Sequence, residues 1–266
     1  MNKRIYITGG ASGIGFQLAK NYVLQGADVT IFDIQAIENA EASLKMLAQP
    51  KQQIAGYSLD VTDTASIATA FEKAAATAPP DILIHCAGIA LAKSFESTTE
   101  AEYTRVITVN LLGTRHVAAA AIPLLKEGGQ LVLIASMAGL VGCYGYSAYC
   151  AAKHGVVGLA EVLRIELKSR GIDVSVVCPP EVDTPMVHEE RKDRPKETEA
   201  MKLLAGTLNV EAACKYIMSG ISQRKFKIIP GSRARMLWAT NKLLPGSVTR
   251  WLSDTTVQRT TTRKKP

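Results

Sequence analysis

Short hydrophobic runs alternate with longer stretches of helical spacing along most of the chain. The runs are nearly continuous in Val, Ile and Leu, which is typical of strands buried on both faces of a parallel sheet. The predicted strands are 4–8, 29–33, 54–59, 82–86, 130–135, 174–178 and 227–229. The predicted helices are 14–25, 37–48, 64–76, 102–125, 148–169 and 210–221. The pattern therefore predicts an α/β fold: one doubly wound domain with a parallel sheet of about seven strands and helices on both faces.

Two regions depart from this pattern. Residues 179–202 are rich in proline and charge and lack a regular period, and so long a connection is typical of a lid or binding loop. We call these residues the lid segment. After residue 230, aromatic and aliphatic residues are interleaved with basic ones, and residues 256–265 have the composition of a disordered end. We expect a main domain at 1–230 and a basic, amphipathic C-terminal extension at 231–266.

Composition excludes several classes of protein. The 266 residues are 47% hydrophobic and 21% charged, as in an ordinary globular chain. Five cysteines with no CxxC pair favour reduced thiols over a disulfide or zinc framework. His85, His116 and His188 share no metal-ligand spacing, so we expect no metal. We find no signal peptide and no apolar run that could span a bilayer, and expect a cytoplasmic location.

The net charge of +7 is concentrated at the C-terminal end. Residues 223–266 contain eleven Lys or Arg and one acidic residue, which gives +10 and leaves −3 on the first 222 residues. This end has no recognisable nucleic-acid module, so we expect no specific nucleic-acid partner. Instead, residues 233–252 place both tryptophans among apolar and basic residues, which suits the headgroup region of a membrane. A helix that closes the pocket or a dimer contact would have the same composition.

A glycine-rich turn, YITGGASGIG, follows the first strand and enters the first helix. Gly9, Gly13 and Gly15 allow a tight turn and the close approach of a pyrophosphate, and the helix N-terminus adds partial positive charge. Such glycines can also form a purely structural turn. The strand, the helix and Asp33 at the end of the second strand favour the phosphate interpretation. The turn therefore predicts a Rossmann-type, dinucleotide-binding domain.

The turn belongs to a set of motifs: TGGASGIG, LDV at 59–61, HCAG at 85–88, VN at 109–110, Ser136, and Tyr149-xxx-Lys153. Over residues 3–230 the sequence resembles the short-chain dehydrogenase/reductase family. The resemblance implies a nicotinamide cofactor and hydride transfer to or from a carbonyl carbon. His85 and Cys86 replace the family's usual asparagine pair, which removes hydrogen bonds expected to steady the central strand.

Pro180 stands where the family often has glycine. With this proline, with DTPM after it, and with HCAGIA followed by FE, the sequence resembles the branch of 3-ketodihydrosphingosine reductases. Members of that branch reduce long-chain keto lipids, commonly with NADPH.

Tyr149 and Lys153 are four residues apart on a predicted helix and therefore share a face. A ketone that receives hydride needs a proton at its oxygen, and Tyr149 can supply it if Lys153 lowers the pKa of the phenol. Ser136, at the end of a predicted strand, can polarise the carbonyl. By analogy with the family, Asn110 anchors a water that connects Lys153 to solvent. Taken singly, each residue has an ordinary structural explanation; together with the glycine turn they predict a catalytic set.

Cofactor preference follows from charge at the end of the second strand. Asp33 can receive the ribose hydroxyls and repel a 2′-phosphate, while Ser12 and Ile34 add no basic side chain. We expect NAD(H) to be preferred, with NADP(H) as the alternative. By resemblance, Asp60 and Val61 face the adenine, Ala87 and Gly88 pass close to the cofactor, and Val182 and Thr184 meet the nicotinamide amide. The complete predicted cofactor site is Gly9, Ser12, Gly13, Ile14, Gly15, Asp33, Asp60, Val61, Ala87, Gly88, Tyr149, Lys153, Val182 and Thr184.

The functional hypothesis is an oxidoreductase acting on a hydroxyl or ketone of a hydrophobic substrate, with long-chain lipids as one option. Small apolar residues at 139–146 suit a wall of that site. The alternative is a non-catalytic nucleotide-binding scaffold or sensor that kept the fold. The resemblance also implies a homodimer or homotetramer through helices 102–125 and 148–169. Peripheral contact at the inner membrane surface would use the C-terminal extension.

Overall fold

A seven-stranded parallel sheet forms the centre of the computed structural model, which describes residues 2–262. Its strand order is β3-β2-β1-β4-β5-β6-β9, so the direction in which successive strands are added to the sheet reverses between β1 and β4. These strands are β1 Arg4–Thr8, β2 Asp28–Asp33, β3 Ile54–Ser58, β4 Ile82–His85, β5 Gln130–Ile134, β6 Asp173–Val177 and β9 Lys227–Ile228. The predicted doubly wound sheet is confirmed, with differences of at most one residue at strand ends. A crevice at the switch point is where such folds bind ligands.

Helices cover both faces of the sheet. They are α1 Gly13–Leu24, α2 Ile37–Lys45, α3 Thr64–Thr77, α4 Glu100–Ile107, α5 Gly113–Ala121, α6 Ser147–Glu166 and α9 Val210–Ser222. On one face Phe71 and Val156 belong to a buried cluster, and on the other Leu18 and Ile217 belong to a second. Because each β-strand alternates its side chains between these two cores, the strands are apolar at nearly every position.

A π-helical turn, Thr108–Leu112, joins α4 to α5 within a helix that runs over Glu100–Leu124. By length and composition alone this helix could cross a membrane, since one 18-residue window within it has a mean hydropathy of 1.2. In the fold, however, α4 packs against α6 and α5 packs against α3. Its apolar positions are therefore those of a helix within the layer that covers the sheet.

The lid segment is more regular than its sequence pattern predicts. β7 (Glu181–Asp183) pairs in parallel with β8 (Thr207–Asn209) in a separate small sheet. Between them lie α7 (Pro185–Glu190) and α8 (Lys196–Ala205). These elements are short. Polar side chains that pair with one another take positions where a longer helix would carry apolar residues, so the hydrophobic periodicity does not reveal them.

The C-terminal extension forms two helices, α10 (Ser232–Leu243) and α11 (Gly246–Thr262), separated at Pro245. Both pack against α8 of the lid segment. The expected disorder is therefore wrong for residues 256–262, and residues 263–265 lie outside the described part of the chain. Tertiary contact with α8 supplies the stability that the polar composition of α11 lacks, and the hydroxyls of Thr255 and Thr256 donate to carbonyls one turn earlier.

Candidate active site

A cavity of about 1140 Å³ opens at the carboxyl ends of the central strands. Every site residue predicted from the sequence lines it: Gly9, Ser12, Gly13, Ile14, Gly15, Asp33, Asp60, Val61, Ala87, Gly88, Asn110, Ser136, Tyr149, Lys153, Val182 and Thr184. These residues come from nearly the whole length of the main domain. Their convergence follows from the parallel sheet, whose loops after β1, β2, β4 and β5 all emerge at one edge.

The glycine turn is shaped by close backbone contacts. Gly9 has φ +67°, and a Cβ there would lie 2.6 Å from the amide nitrogen of Ala87. A Cβ on Gly15 would lie 2.0 Å from the carbonyl oxygen of Gly9. Any larger residue would therefore force the strand and helix apart. Ser12, which precedes α1, makes no capping hydrogen bond with its side chain. This narrow turn at a helix N-terminus fits a pyrophosphate.

The carboxylate of Asp33 is fixed at the end of β2 by two backbone amides. Ala11, within the glycine turn, donates to Oδ2 at 3.0 Å, and Ile34 donates to Oδ1 at 2.8 Å. The negative charge is therefore held beside the turn, where the adenosine ribose of a dinucleotide lies in this fold. The residue has a structural role as well, because it ties β2 to the turn.

Two further pairs of predicted residues line the same cavity. Asp60 accepts hydrogen bonds at 2.8 Å from both the amide and the hydroxyl of Thr62, which fixes the turn after β3. In the lid segment, Val182 is buried in β7, and the Thr184 hydroxyl donates to its carbonyl at 3.2 Å. A Cβ on Gly13 would lie 3.4 Å from Cγ2 of Thr184, so the lid segment lies against the glycine turn.

Asn110 lies in the π-helical turn and is fully buried. Its Oδ1 accepts from the amide of Ile89 at 3.1 Å, and its Nδ2 donates to the carbonyls of Ile89 and Val106 at 2.9 and 3.0 Å. A Cβ on Gly88 would lie 2.6 Å from Asn110 Oδ1 and 3.6 Å from Lys153 Nζ. The turn thus brings Asn110, Gly88 and Lys153 together, and π-helical turns are frequent at functional sites.

Ser136 follows β5, and its hydroxyl accepts from the amide of Ala138 at 3.1 Å, which caps a short turn. The same hydroxyl interacts with Tyr149, three residues into α6. Burial raises the pKa of Tyr149 to about 12, and the hydrogen bond from Ser136 opposes that rise. From the sequence we expect Lys153 to lower this pKa. In the protein alone burial has the larger effect, so the phenol is a protonated donor near neutral pH.

Lys153 is 4% exposed, and its Nζ donates to the carbonyl of Ile134 at 3.0 Å. The nitrogen lies 5.7 Å from the centre of the Tyr149 ring. Burial lowers the pKa of Lys153 to about 8, because the apolar surroundings disfavour its charge. An amine that titrates close to neutrality, beside a phenol in a cleft, marks a candidate site for proton transfer.

His85, one of the departures from the family pattern, links two central strands. Its Nδ1 lies 2.7 Å from the hydroxyl of Thr8 on β1, so the imidazole provides one connection between β1 and β4. Its Nε2 is buried without a hydrogen-bond partner among the described residues. Burial, assisted by the charge of Lys153, lowers the pKa of His85 to about 3, so the ring is neutral.

Sequence reasoning missed a buried group of charges beside the site, which we call the lid cluster: Glu181, Glu190, Arg194 and Lys202. The two carboxylates are each 2% exposed, and both are paired with Arg194 and Lys202. The hydroxyl of Tyr146, next to Tyr149, joins the cluster through Glu190 and Lys202. The only sequence signal is the mixture of acids and bases in the lid segment, which resembles a solvated loop.

Within residues 2–262, no group of three or more His, Cys, Asp or Glu side chains could hold a metal ion. The five cysteines are all unpaired thiols; two are buried and three are partly buried.

Comparison with known proteins gives the same picture. The family model "short chain dehydrogenase" matches residues 3–195. The chain belongs to the short-chain dehydrogenase family. It is 36% identical over 231 residues to 3-dehydrosphinganine reductase TSC10B of Arabidopsis thaliana, covering 85% of this chain and 69% of that protein. The 3-dehydrosphinganine reductase of Danio rerio is 32% identical, with 88% and 73% covered.

A solved dehydrogenase/reductase from Sinorhizobium meliloti superposes with a TM-score of 0.76 at 27% identity, covering 87% of this chain and 94% of that one. The resemblance predicted from the motifs, including its 3-ketodihydrosphingosine reductase branch, is therefore confirmed. Membership in this family establishes a nucleotide-dependent oxidoreductase that acts on a CH–OH or C=O group.

Proposed function

We propose that this dehydrogenase reduces the ketone of a long-chain lipid with NADH, using Asn110, Ser136, Tyr149 and Lys153 as its catalytic set. The observation that carries the proposal is that these four residues line one cavity with the glycine turn, while the remaining wall is largely apolar. The nicotinamide would supply the hydride. A non-catalytic scaffold would need neither the serine-linked phenol nor the buried amine.

The proposed division of labour follows from the protonation states. Tyr149 carries its proton near neutral pH and would donate it to the oxygen of the reduced carbonyl. Ser136 would donate a second hydrogen bond to that oxygen and stabilise its developing negative charge. Lys153, whose pKa is lowered to about 8, would return a proton to Tyr149, and Asn110 would hold the path to solvent open.

The lipid part of the proposal rests on the cavity wall and on the relatives. Ile89, Ala90, Met186 and Val187 also line the cavity and favour an aliphatic chain. Two of the relatives are named as 3-dehydrosphinganine reductases, and we extend a substrate of that kind, a long-chain ketone, to this chain. Preference for NADH is a separate step that rests on the fixed carboxylate of Asp33.

The experiment is a cofactor-oxidation assay with three carbonyl compounds: 3-dehydrosphinganine, a plain ketone of equal chain length and a short polar ketone. We expect turnover of the long-chain compounds, faster with NADH than with NADPH, and none with Tyr149→Phe. Turnover of the short ketone alone would contradict the lipid proposal. If the protein binds NADH but oxidises none with any carbonyl compound, the scaffold alternative is correct.

We also propose that the enzyme meets its substrate at a membrane surface. Leu243, Trp251 and Leu252 in the C-terminal extension are 81%, 64% and 43% exposed, beside Lys242 and Arg250. Exposed apolar and aromatic residues next to cations suit an anionic lipid surface. This would place the enzyme in the cytoplasm, peripherally attached to the inner membrane surface.

Self-association is the remaining proposal. The outer faces of α6 and of the π-helical turn expose Val162, Ile165 and Leu112 at 50%, 65% and 45%. These residues lie on the two helices expected from the family to form a dimer or tetramer interface. Light scattering after size-exclusion chromatography tests this, with Ile165→Glu expected to shift the mass toward the monomer.

A further inference from the structure

Tyr146 lies between the lid segment and Tyr149. It is 5% exposed and lines the cavity, and its ring centre is 5.1 Å from that of Tyr149, with the planes at 50°. Tyr146 immediately precedes α6, and its carbonyl accepts from the amide of Cys150. The position of its ring therefore limits where the phenol of Tyr149 can lie.

The hydroxyl of Tyr146 is held entirely by the lid segment. It donates to Oε1 of Glu190 at 2.9 Å and accepts from Nζ of Lys202 at 2.7 Å. Glu190 ends α7 and Lys202 lies within α8, so two lid helices meet at one hydroxyl group. The Lys202 ammonium also lies 5.2 Å from the centre of the Tyr146 ring.

The charges behind this hydroxyl form one cooperative unit. Arg194 is 3% exposed and lies 2.6 Å from Glu181, and it also pairs with Glu190. The buried members are two carboxylates and two cations, and the more exposed Arg191 and Glu199 pair with Glu181 and Arg194. Removal of a buried partner would leave its buried counterpart with less compensation. The lid cluster is therefore complete only when β7, α7 and α8 are all seated against Tyr146.

We infer that Tyr146 is a positioning residue that couples the seating of the lid segment to the orientation of Tyr149. This inference rests on the proposed function in one respect, the role of Tyr149 as the proton donor. With the lid cluster assembled, Tyr146 is fixed at its hydroxyl and presents a fixed face to Tyr149. When the lid segment lifts, Tyr146 loses both hydrogen bonds, and Tyr149 loses a neighbouring ring that fixes the position of its phenol. Proton transfer is sensitive to such displacements.

The test is Tyr146→Phe, which keeps the ring against Tyr149 and removes only the hydroxyl. The matched control is Tyr144→Phe, two residues earlier, because among the described residues of the predicted wall at 139–146 only Tyr146 lines the cavity. Tyr144 also touches the lid segment, but through its backbone: its amide donates to Met201 Sδ and its carbonyl accepts from Thr198. With the best ketone substrate, Tyr146→Phe should lower kcat by roughly tenfold or more. The kinetic isotope effect on kcat with deuterated NADH should rise, while the Kd for NADH and the melting temperature stay close to wild type. Tyr144→Phe should match wild type throughout.

A second variant tests whether the effect runs through the lid cluster. Lys202→Met removes the donor to Tyr146 from the lid side and should lower kcat with the same rise in isotope effect. The double variant should lose less than the product of the two single losses, because the Lys202–Tyr146 hydrogen bond is broken in both. Additive losses, or an unchanged isotope effect in Tyr146→Phe, would overturn the inference. A loss of kcat accompanied by weaker NADH binding and a lower melting temperature would also overturn it, since that result describes a general structural role.

Hydrogen–deuterium exchange gives a measurement that needs no turnover. In Tyr146→Phe, peptides that cover α7 and α8 and the peptide that begins α6 should exchange faster, while peptides of β1 and α1 should not change. If the lid peptides change and the start of α6 does not, the coupling is absent. If wild type reduces no ketone, the proposed function fails, and the exchange data still decide whether the lid segment and α6 are coupled.

Discussion

Lys153 donates a hydrogen bond from Nζ to the carbonyl oxygen of Ile134 at 3.0 Å, which ties α6 to the carboxyl end of β5. The contact holds the amine in an environment that lowers its pKa from 10.5 to about 8. At pH 7 the folded protein therefore keeps a positive charge on a buried amine whose surroundings disfavour that charge. Such an arrangement opposes folding, and we interpret it as a cost of the catalytic chemistry.

Lys153→Met should stabilise the free protein at pH 7 while abolishing activity. The shift of the Lys153 pKa corresponds to on the order of 3 kcal/mol. Because the folded-state pKa lies below the unfolded value, the cost is present in full below about pH 8 and disappears as pH rises toward 10.5. Urea unfolding of both proteins without nucleotide, at several pH values, measures the difference. The exposed Lys73→Met on α3 is the control, and a variant less stable than wild type at pH 7 would contradict the prediction.

Tyr149→Phe should lower kcat by about 10²–10⁴-fold, since only the proton donor is removed. The glycine turn is untouched, so the Kd for NADH should change by no more than about twofold. Steady-state kinetics and fluorescence titration of NADH measure the two quantities. Activity within tenfold of wild type would exclude Tyr149 from its proposed role.

Asp33→Asn should shift cofactor preference toward NADPH. The amide keeps an acceptor oxygen for the Ala11 amide but removes the charge that repels a 2′-phosphate, so we expect the NADPH-to-NADH ratio of kcat/KM to rise by roughly tenfold. Adding Ile34→Arg should raise it further. Asp28→Asn, at the opposite end of β2, controls for a general change of charge. A wild-type enzyme that already prefers NADPH would show that the fixed carboxylate does not select NADH.

Leu243→Glu combined with Trp251→Glu should reduce binding to anionic vesicles by at least about tenfold, because two large apolar side chains would no longer enter the lipid interface. Met46→Glu is a matched control, since Met46 is 81% exposed, as Leu243 is, but directly follows α2. Co-sedimentation with vesicles of increasing anionic content measures the partitioning. Equal partitioning of the double variant and the control would rule out the proposed surface.

The parts of the molecule that could be predicted from the sequence are those determined locally. Continuous apolar runs predicted the seven strands of the central sheet, and the turn around Gly9 predicted which edge of the sheet holds the cavity. Asp33 ends a strand, Ser136 comes shortly after one, and Tyr149 lies in the first turn of a helix, so each could be placed from the local pattern. Parallel topology then brings them together.

The parts that could not be predicted depend on contacts between distant segments. The Tyr146 hydroxyl meets Glu190 across 44 residues, and neither residue type indicates the other. α11 is polar in composition and is helical because it lies against α8. The rise in the pKa of Tyr149 in the protein alone could not be predicted for the same reason, since spacing shows the nearby ammonium but not the depth of burial.

The π-helical turn at Thr108–Leu112 gives this helix one residue more than an unbroken α-helix would need. Deleting Val109 would let the α-helix close without interruption, so the two halves would keep their register while the wide turn that carries Asn110 would be lost. Asn110 would then turn away from Ile89 and Lys153, even though no side chain of the catalytic set had been altered. A single-residue deletion here would abolish activity while leaving a chain that still folds. The length of this helix in a natural variant therefore indicates loss of activity better than substitutions on its surface do.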